Sequence, residues 1–374
     1  MEFTLGEGLK GLPGPILLTG HTGFKGTWMT YLLESLKLSV VGYSLPAEEG
    51  SLFNRAERVG LIPETFADVR DYEALLNFIK IYRPSAIIHM AAQPLVIKSY
   101  EDPRETFEVN VMGTVNLLDI ALKFDFVKAV LVVTTDKVYK NSEEGKLFSE
   151  NDPLAGKDPY SSSKVACESA IDAWRAISKL NNGSDIFSVR SGNVIGGGDW
   201  SEDRIIPDCI RALRANDAIV LRKPQATRPW QHVLEPLSGY LKLAIKLKYH
   251  PREFSGSWNF GPNEVDINSV GSIVQKASEI WGTNVRWNID GGSDEHETNT
   301  LRIDSTKART KLDWQPKLSL DQSLFLTNRF FLQQNCHILC TFLYNFHQLI
   351  FLFRVYILPM MNLLCLLFFH ILLY

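Results

Sequence analysis

The sequence predicts an α/β fold: a doubly wound parallel sheet of the Rossmann type with a smaller second lobe, followed by an atypical apolar C-terminal tail. Short, β-branched, mostly uncharged runs alternate with amphipathic helical patterns through residues 1–190, and a glycine-rich turn follows the first run. Because strand–helix alternation implies parallel strands with right-handed crossovers, ligands are expected at the carboxyl ends of the strands. A loss of charge after residue 326 predicts the tail.

The predicted strands are short enough and apolar enough to be buried on both faces of a sheet. They are residues 16–19, 40–43, 86–90, 130–134 and 186–190. Between them, apolar residues at three-to-four spacing predict helices at residues 26–38, 71–82, 104–124 and 159–179.

The predicted domains follow this division. Residues 1–190 form a dinucleotide-binding domain, residues 191–326 form a smaller substrate lobe where turn signals multiply, and residues 327–374 lie outside the fold. After Phe330 the tail has only one charged side chain, Arg354. Residues 355–374 are long enough to span a bilayer, but Pro359, Asn362 and His370 oppose it. An accidental tail is favoured over a membrane anchor.

Composition excludes several classes of function. The 374 residues carry 39 Lys and Arg against 42 Asp and Glu, a formal charge of −3, so no overall basic field attracts nucleic acid or an anionic membrane. The five cysteines show neither paired nor metal-ligand spacing, and the N-terminus lacks a secretory pattern. A cytoplasmic small-molecule enzyme without a metal is expected, with membrane association only if the tail is an anchor.

The first candidate site is the glycine-rich turn GHTGFKG, residues 20–26, between the first strand and the first helix. Its glycines permit a tight turn and leave room for a pyrophosphate at the N–H groups of the helix. No acid follows the second strand to bind the ribose, so the choice between NAD and NADP stays open. The cofactor-binding candidates are Gly20, Gly23, Phe24 and Gly26, with Asp68 and Val69 for the adenine.

Two further motifs predict acid–base chemistry. In YSSSK, residues 160–164, Tyr160 and Lys164 lie one helical turn apart, so the ammonium can favour the phenolate and reach a ribose hydroxyl. In TTDKVY, residues 134–139, Thr135, Asp136 and Lys137 follow a predicted strand, where such folds hold catalytic groups. Each motif alone also fits a solvated helix face or an Asx turn. Together they predict a catalytic set beside a nicotinamide.

These motifs resemble the extended short-chain dehydrogenase/reductase superfamily, and its NAD-dependent epimerase/dehydratase family in particular. The resemblance runs in order from about residue 15 to about residue 326. HTGFKG, TDK and GGGDW are similar to the CDP-glucose 4,6-dehydratase branch, and Lys137 stands where other sugar-nucleotide dehydratases have glutamate. Further matches are HMAAQ at 89–93, SGNVIGGGDW at 191–200 and TRPWQHV at 227–233.

The resemblance implies a 4,6-dehydratase that uses NAD to convert CDP-glucose to CDP-4-keto-6-deoxyglucose and water. Tyr160, assisted by Thr135 and Lys164, would take the proton of the 4-hydroxyl as hydride leaves carbon 4. Asp136 would protonate the hydroxyl leaving carbon 6, and Lys137 would act at carbon 5 as base or electrostatic stabiliser before hydride returns to carbon 6. The implied cofactor contacts also include Ala91, Ala92 and Gln93, and the implied substrate contacts are Asn193, Arg228 and His232.

Three alternatives stay open. In the first, the substrate is dTDP-glucose or GDP-mannose. In the second, the reaction is that of a sugar-nucleotide 4-epimerase. In the third, the chain binds nucleotides without catalysis. An epimerase shares Tyr160 and Lys164 but needs no acid such as Asp136 to expel water. Because members of this family pair through two long helices, the resemblance also implies a homodimer through residues 104–124 and 159–179.

Overall fold

The computed structural model describes residues 12–249, 252–283, 286–289 and 298–333. Along these residues the strands, numbered in chain order, are β1 (Ile16–Thr19), β2 (Val40–Ser44), β3 (Glu64–Phe66), β4 (Ala86–His89), β5 (Ala129–Val133), β6 (Leu147–Phe148), β7 (Asp185–Ser191), β8 (Val194–Ile195), β9 (Ile219–Leu221), β10 (Thr227–Pro229), β11 (Gln231–His232), β12 (Gly256–Phe260), β13 (Ile267–Ser269), β14 (Trp287–Ile289) and β15 (Arg302–Ile303). Seven of them form one sheet in the order β12-β7-β5-β4-β1-β2-β3. Every neighbouring pair in it is parallel.

The α-helices of the same residues are numbered in the same way. They are α1 (Phe24–Ser35), α2 (Leu52–Arg55), α3 (Tyr72–Tyr82), α4 (Val96–Glu101), α5 (Pro103–Phe107), α6 (Gly113–Leu122), α7 (Pro159–Leu180), α8 (Ile205–Ala215), α9 (Leu234–Tyr249), α10 (Val270–Trp281), α11 (Thr306–Leu312) and α12 (Leu320–Gln333). Short 3-10 turns at Asp136–Val138 and Glu264–Asp266 and a π-helical segment at Glu108–Met112 complete the described elements.

The sheet separates two apolar layers because successive strand residues point to opposite faces. Leu17 and Ile87 belong to the layer that includes residues of α3 and α6, whereas Leu18 and Ile88 belong to the layer that includes residues of α1 and α9. Burial on both faces explains why these strands read as continuous apolar runs in the sequence. The strand order reverses between β1 and β4, so the crevice for ligands opens at their carboxyl ends.

The five predicted strands are confirmed, with their ends displaced by at most one residue. The helix predicted over residues 104–124 is confirmed as one helical stretch over residues 103–122, within which the segment Glu108–Met112 is π-helical. This segment contains Asn110, whose side-chain amide donates to the Gln93 carbonyl at 3.1 Å and to Ser163 Oγ at 2.9 Å. These bonds tie the loop after β4 to α7 and account for the local change of winding.

The predicted domain boundary at residue 190 is wrong, because the chain returns to the first domain after that point. β12 pairs with β7 as the seventh strand of the sheet, and α9 packs on the same sheet. Both lie within the range predicted as the second lobe. That lobe consists instead of α8, α10 and the small pairs β8–β11, β10–β13 and β9–β14, which are separated in the chain by α9 and β12.

The boundary predicted at residue 326 falls inside α12, which continues to Gln333. Phe330 and Phe331 are buried in the main core, and the ring of Phe331 meets Trp200 edge-on with centroids 4.8 Å apart. Residues 327–333 therefore belong to the fold, because apolar burial outweighs their loss of charge. The rest of the predicted tail, residues 334–374, lies outside the described residues. No helix in the described part of the chain has the length and apolar character needed to cross a membrane.

Candidate active site

A cleft of about 1450 Å³ opens at the carboxyl ends of β1, β4, β5 and β7 and is covered on its far side by the second lobe. Such a volume exceeds that of a typical small-ligand pocket and suits a dinucleotide together with a second ligand. Most of the predicted site residues line it, and each can be followed from the element that positions it.

The glycine turn after β1 uses its three glycines for different reasons. Gly20 has φ +71°, and a Cβ there would lie 2.7 Å from the backbone nitrogen of Ala91. A Cβ on Gly26 would lie 2.1 Å from the Gly20 carbonyl oxygen, so the helix could not approach the turn. Gly23 caps α1 without a side-chain hydrogen bond, and a Cβ there would meet only the Gly20 carbonyl oxygen, at 3.4 Å. The cradle is therefore open towards the cleft at the N-terminus of α1, which fits a pyrophosphate.

The end of the cleft beside β2 lacks an acid at the strand terminus, as the sequence indicates. Thr22 Oγ1 lies 2.8 Å from Ser44 Oγ and donates to the Leu45 carbonyl at 3.0 Å. Asp68 lines the cleft, but the Arg70 guanidinium occupies its carboxylate, with Nε 3.0 Å and Nη2 2.6 Å from Oδ2. The hydrogen bonds from Arg70 hold the pKa of Asp68 below its ordinary value. Val69 is buried beside it and also lines the cleft.

The residues after β4 divide into two groups. Ala91 and Ala92 line the cleft, and their small side chains leave room there. Gln93 does not line it: its side-chain amide donates to Thr106 Oγ1 at 2.9 Å and to the Leu95 carbonyl at 3.1 Å. The structure thus gives Gln93 a place in the packing of the following helices, where the resemblance implied a cofactor contact.

The 3-10 turn after β5 presents Thr135, Asp136 and Lys137 to the cleft. Thr135 Oγ1 caps the turn by accepting from the Lys137 backbone N–H at 3.3 Å, and it also donates to Asp136 Oδ1 at 3.2 Å. The other oxygen of Asp136, Oδ2, is buried and has no hydrogen-bond partner among the described residues. Burial raises the pKa of Asp136 to about 6, although Lys137 and other cations act to lower it. This carboxyl group can therefore carry a proton near neutral pH.

The first turns of α7 place Tyr160 and Lys164 beside that acid. The helix starts with a capping box between Asp158 and Ser161 and with Pro159 in its first turn, which fixes where the phenol enters the cleft. Lys164 Nζ donates to the Val133 carbonyl at 3.2 Å. Burial raises the pKa of Tyr160 to about 12, while a hydrogen bond with Thr135 acts to lower it. The expected lowering of the phenol pKa by Lys164 is not found in the protein alone, where burial dominates and the groups that act to lower the pKa are Thr135 and Arg204.

The second lobe brings only part of its predicted set to the cleft. Asn193 and Arg228 line it, and Arg228 is held by a bond from Nη1 to the Thr227 carbonyl at 2.9 Å. His232 does not reach the cleft. Its ring is buried against Trp28, with centroids 6.0 Å apart, and Nδ1 accepts from the Leu234 backbone N–H at 3.4 Å. Burial lowers the pKa of His232 to about 3, which is the state of a neutral core histidine.

Three charged residues that were not among the predicted site residues line the same cleft. Lys25, in the first turn of α1, donates from Nζ to Ser191 Oγ at 3.2 Å. Arg204 donates to Asp199 Oδ2 at 2.8 Å, and both lie at the mouth of the second lobe. Burial lowers the pKa of Lys25 to about 8, helped by Arg204 and Lys164 and opposed by Asp136 and Asp199. The available signal for Lys25 was that it is the only Lys, Arg, Asp or Glu in the turn GHTGFKG.

A doubly wound parallel sheet with a glycine cradle after its first strand and a Tyr–Lys pair on one helix is the arrangement of an extended short-chain dehydrogenase/reductase. A family model described as GDP-mannose 4,6 dehydratase matches residues 17–325. The chain belongs to this family.

Known relatives agree with that placement. The chain is 43% identical over 315 residues to the CDP-glucose 4,6-dehydratase of Salmonella typhimurium, which covers 83% of this chain and 88% of that protein. A double mutant of the dTDP-glucose 4,6-dehydratase of Streptomyces venezuelae, solved with NAD, superposes with a TM-score of 0.75 at 20% identity over 86% of this chain and 97% of that one. The UDP-glucose 4-epimerase of Thermotoga maritima gives 0.74 at 22% identity over 86% and 99%. The two superpositions describe the shared fold.

Proposed function

We propose that this chain is an NAD-dependent CDP-glucose 4,6-dehydratase. The observation that carries the proposal is Asp136, a buried acid with an unpartnered oxygen and a pKa of about 6, placed in the same cleft as Tyr160 and Lys164. A Tyr–Lys pair alone serves oxidation and return of hydride, whereas expulsion of a hydroxyl group also needs a proton donor. The similarity to the Salmonella enzyme over 83% of the chain supports the same reaction and the same substrate.

The first step is oxidation of carbon 4. The glycine cradle would hold NAD, which would supply the hydride acceptor, and solved structures of similar fold contain this cofactor. Tyr160 removes the proton of the 4-hydroxyl, and its hydrogen bond with Thr135 favours the phenolate against burial. The Lys164 ammonium lies one turn along α7 and adds a positive charge to the same region.

The second step is elimination across carbons 5 and 6. The 4-ketone acidifies the hydrogen at carbon 5, and Asp136 gives its proton to the departing 6-hydroxyl so that water leaves. Lys137, which lines the cleft next to it, takes the carbon-5 proton in its neutral form, or as a cation stabilises the enolate while another group takes that proton. Return of the hydride to carbon 6 would be accompanied by return of a proton to carbon 5, so the reaction would consume no external reductant.

Binding of the nucleotide sugar falls to the second lobe. Arg228 presents a cation suited to a diphosphate, and Asn193 lines the same cleft from the short connection between β7 and β8. Because no acid follows β2, other groups must bind the ribose of NAD. Glu48 and Glu49 line that end of the cleft. Carboxylates there would repel a 2′-phosphate, which favours NAD over NADP.

We also propose that two copies pair through α5, the π-helical segment and α7. Phe107, Met112 and Ile177 on these elements expose between 39% and 48% of their surface. Large apolar side chains on adjacent helix faces are typical of a subunit interface. Analytical ultracentrifugation would show a dimer, and a monomer at micromolar concentration would contradict the pairing.

The decisive experiment incubates the purified chain with NAD and CDP-glucose and follows a 4-keto-6-deoxy product by NMR. Parallel incubations with dTDP-glucose and GDP-mannose test the nucleotide. Product from either of these and none from CDP-glucose would retain the chemistry and refute the substrate. If the chain is instead an epimerase, like the Thermotoga enzyme of similar fold, it would invert the configuration at carbon 4 and keep full activity in Asp136→Asn.

A further inference from the structure

Residues 134–139, which we call the strand-end turn, are in contact with a buried ion pair. Arg190 on β7 donates from Nε to Glu168 Oε1 and from Nη2 to Glu168 Oε2, both at 2.8 Å. The two side chains expose only 3% and 1% of their surface. Such a pair is stable only when its remaining hydrogen-bonding capacity is satisfied, because both charges have left water. The partners that satisfy it are therefore informative.

Those partners include both ends of the strand-end turn. At its start, Thr134 Oγ1 donates to Glu168 Oε1 at 2.6 Å. At its end, the Tyr139 hydroxyl accepts from Arg190 Nη1 at 3.0 Å and donates to Asn259 Oδ1 at 2.7 Å. The guanidinium also lies 5.1 Å from the centroid of the Tyr139 ring. The turn is thus fastened at each end to one bidentate pair.

The same pair is built into the catalytic helix. Glu168 follows Lys164 by four residues and Tyr160 by eight on α7, so the three side chains lie on one side of the helix. The strand-end turn in turn carries Thr135 and Asp136. The distance between the phenol and the acid therefore depends on how Glu168 and Arg190 hold the turn against the helix.

Packing of α7 on the sheet does not need these polar links. Cys167 and Ile171 of α7 share an apolar cluster with Ile186 of β7, and this contact joins the two elements without the ion pair. The hydrogen bonds to Thr134 and Tyr139 therefore serve to fix the position of the strand-end turn. Although burial acts to raise it, the hydrogen bond from Arg190 holds the pKa of Glu168 below its ordinary value, so the pair stays charged.

We propose that Glu168 and Arg190 are positioning residues that set Thr135 and Asp136 at the correct distance from Tyr160. The chemical reading rests on the proposed function, since the steps that depend on the placement are oxidation at carbon 4 and elimination across carbons 5 and 6. Neither residue lines the cleft, so both act through the strand-end turn.

The sharpest variant is Thr134→Val, which removes one hydroxyl group and leaves the ion pair in place. With the start of the turn released, kcat should fall at least tenfold while KM for the nucleotide sugar changes less than twofold. Thr134→Ser restores the hydroxyl and should recover most of the loss. A valine variant with the kcat of the parent chain at saturating substrate would overturn the proposal.

A matched control separates positioning from loss of stability. Arg58 and Glu34 form a second pair with a buried guanidinium, with Nη2 2.6 Å from Oε1, and it touches neither the strand-end turn nor α7. Glu168→Gln and Glu34→Gln remove the same carboxylate charge from such a pair, so thermal unfolding should shift downward in both. Only Glu168→Gln should lower kcat. Equal falls of kcat at equal destabilisation would show a general loosening and refute a positioning role.

A readout without turnover keeps the two proposals separate. If the parent chain does not act on CDP-glucose or any other sugar nucleotide, the proposed function fails, and the carboxyl titration of Asp136 then tests the placement. Followed by carbon NMR in aspartate-labelled protein, this titration should move towards the ordinary range of pKa in Thr134→Val, because a released turn exposes the acid. An unchanged titration would overturn the positioning role whatever the reaction is.

Discussion

The strand-end turn with α7 and the second lobe differ in how they assemble their parts of the cleft. The acid, the hydroxyl and the phenol come from two continuous segments, one strand end and one helix start, that meet at the sheet. The second lobe draws its residues from β7–β8, β10 and β11, which small separate ladders hold together. All three predicted groups of the first region reach the cleft, whereas His232 of the second is buried in the core. Local spacing thus predicts site residues when they lie together in a continuous segment, and it fails when side-chain direction depends on distant packing.

The largest effect is expected in the first region, at Tyr160. Tyr160→Phe removes the oxygen that takes the 4-hydroxyl proton, so kcat should fall by about 10³-fold, as for loss of a general base. Because the second lobe holds the nucleotide sugar, its Kd should change only a few-fold. Single-turnover absorbance at 340 nm should show no reduced cofactor. Rapid appearance of reduced cofactor in this variant would remove Tyr160 from the oxidation step.

The next effect divides the second lobe itself. Arg228→Met removes the cation expected at the diphosphate, and KM should rise about 10- to 100-fold with a smaller change in kcat, as for loss of a charge-assisted contact. His232→Asn serves as the paired variant, because an amide oxygen can accept the Leu234 N–H in place of Nδ1. Its KM should stay within about twofold and its thermal stability should fall, since ring packing on Trp28 is lost. A similar rise of KM in both variants would restore His232 to the substrate site.

A smaller effect concerns stability, and its sign follows from burial of the acid. The pKa of Asp136 is about 6 in the folded chain against an ordinary 3.8, so the folded state holds the proton more tightly. Stability from this group is present at low pH and is lost as pH rises from about 4 to about 6. Asp136→Asn, which cannot ionise, should therefore exceed the parent chain by about 3 kcal/mol in free energy of unfolding at pH 8 and show little difference at pH 4.

The control for this measurement has the opposite sign. Hydrogen bonds from Lys146 and Ser149 hold the pKa of Asp152 below its ordinary value, so its contribution is present at neutral pH and disappears in acid. Asp152→Asn should lose stability at pH 8, and urea unfolding of this variant and of Asp136→Asn at pH 4 and pH 8 measures both effects. A lower stability of Asp136→Asn at pH 8 would mean that the buried carboxylate has partners in the folded chain.

The limits of prediction from sequence follow the same division. β-Branched runs predicted five strands, and the four-residue spacing of Tyr160 and Lys164 predicted a shared helix face. Both predictions succeeded because their signals depend on residues that are close in the chain. The return of β12 to the sheet was not predicted, because pairing with β7 joins residues nearly 70 positions apart. The Glu168–Arg190 pair was not predicted either, because its residues belong to different elements and both lie outside the motifs YSSSK and TTDKVY.

Asp68 shows an intermediate case. Its position after β3 correctly predicted a place on the cleft, but its carboxylate is engaged by Arg70, two residues further along the chain. The sequence DVR contained that signal, because side chains two residues apart in an irregular segment can meet. An adenine contact at Asp68 must therefore share the carboxylate with Arg70, or use the backbone of this segment.

The smallest expected effect sharpens the comparison at Lys25, which joins the glycine turn to the chemistry. The positive charge of Lys25 lowers the pKa of Asp136, and its own pKa is about 8. Lys25→Met therefore lets Asp136 keep its proton to higher pH, so the alkaline fall of kcat/KM should move to higher pH. Above about pH 8 the parent Lys25 has itself lost its charge, and the two profiles should converge. Lys25→Arg keeps the charge and should retain the parent profile below pH 8. An unmoved alkaline limb in Lys25→Met, measured from pH 5 to 9, would show that this ammonium and the acid do not interact during turnover.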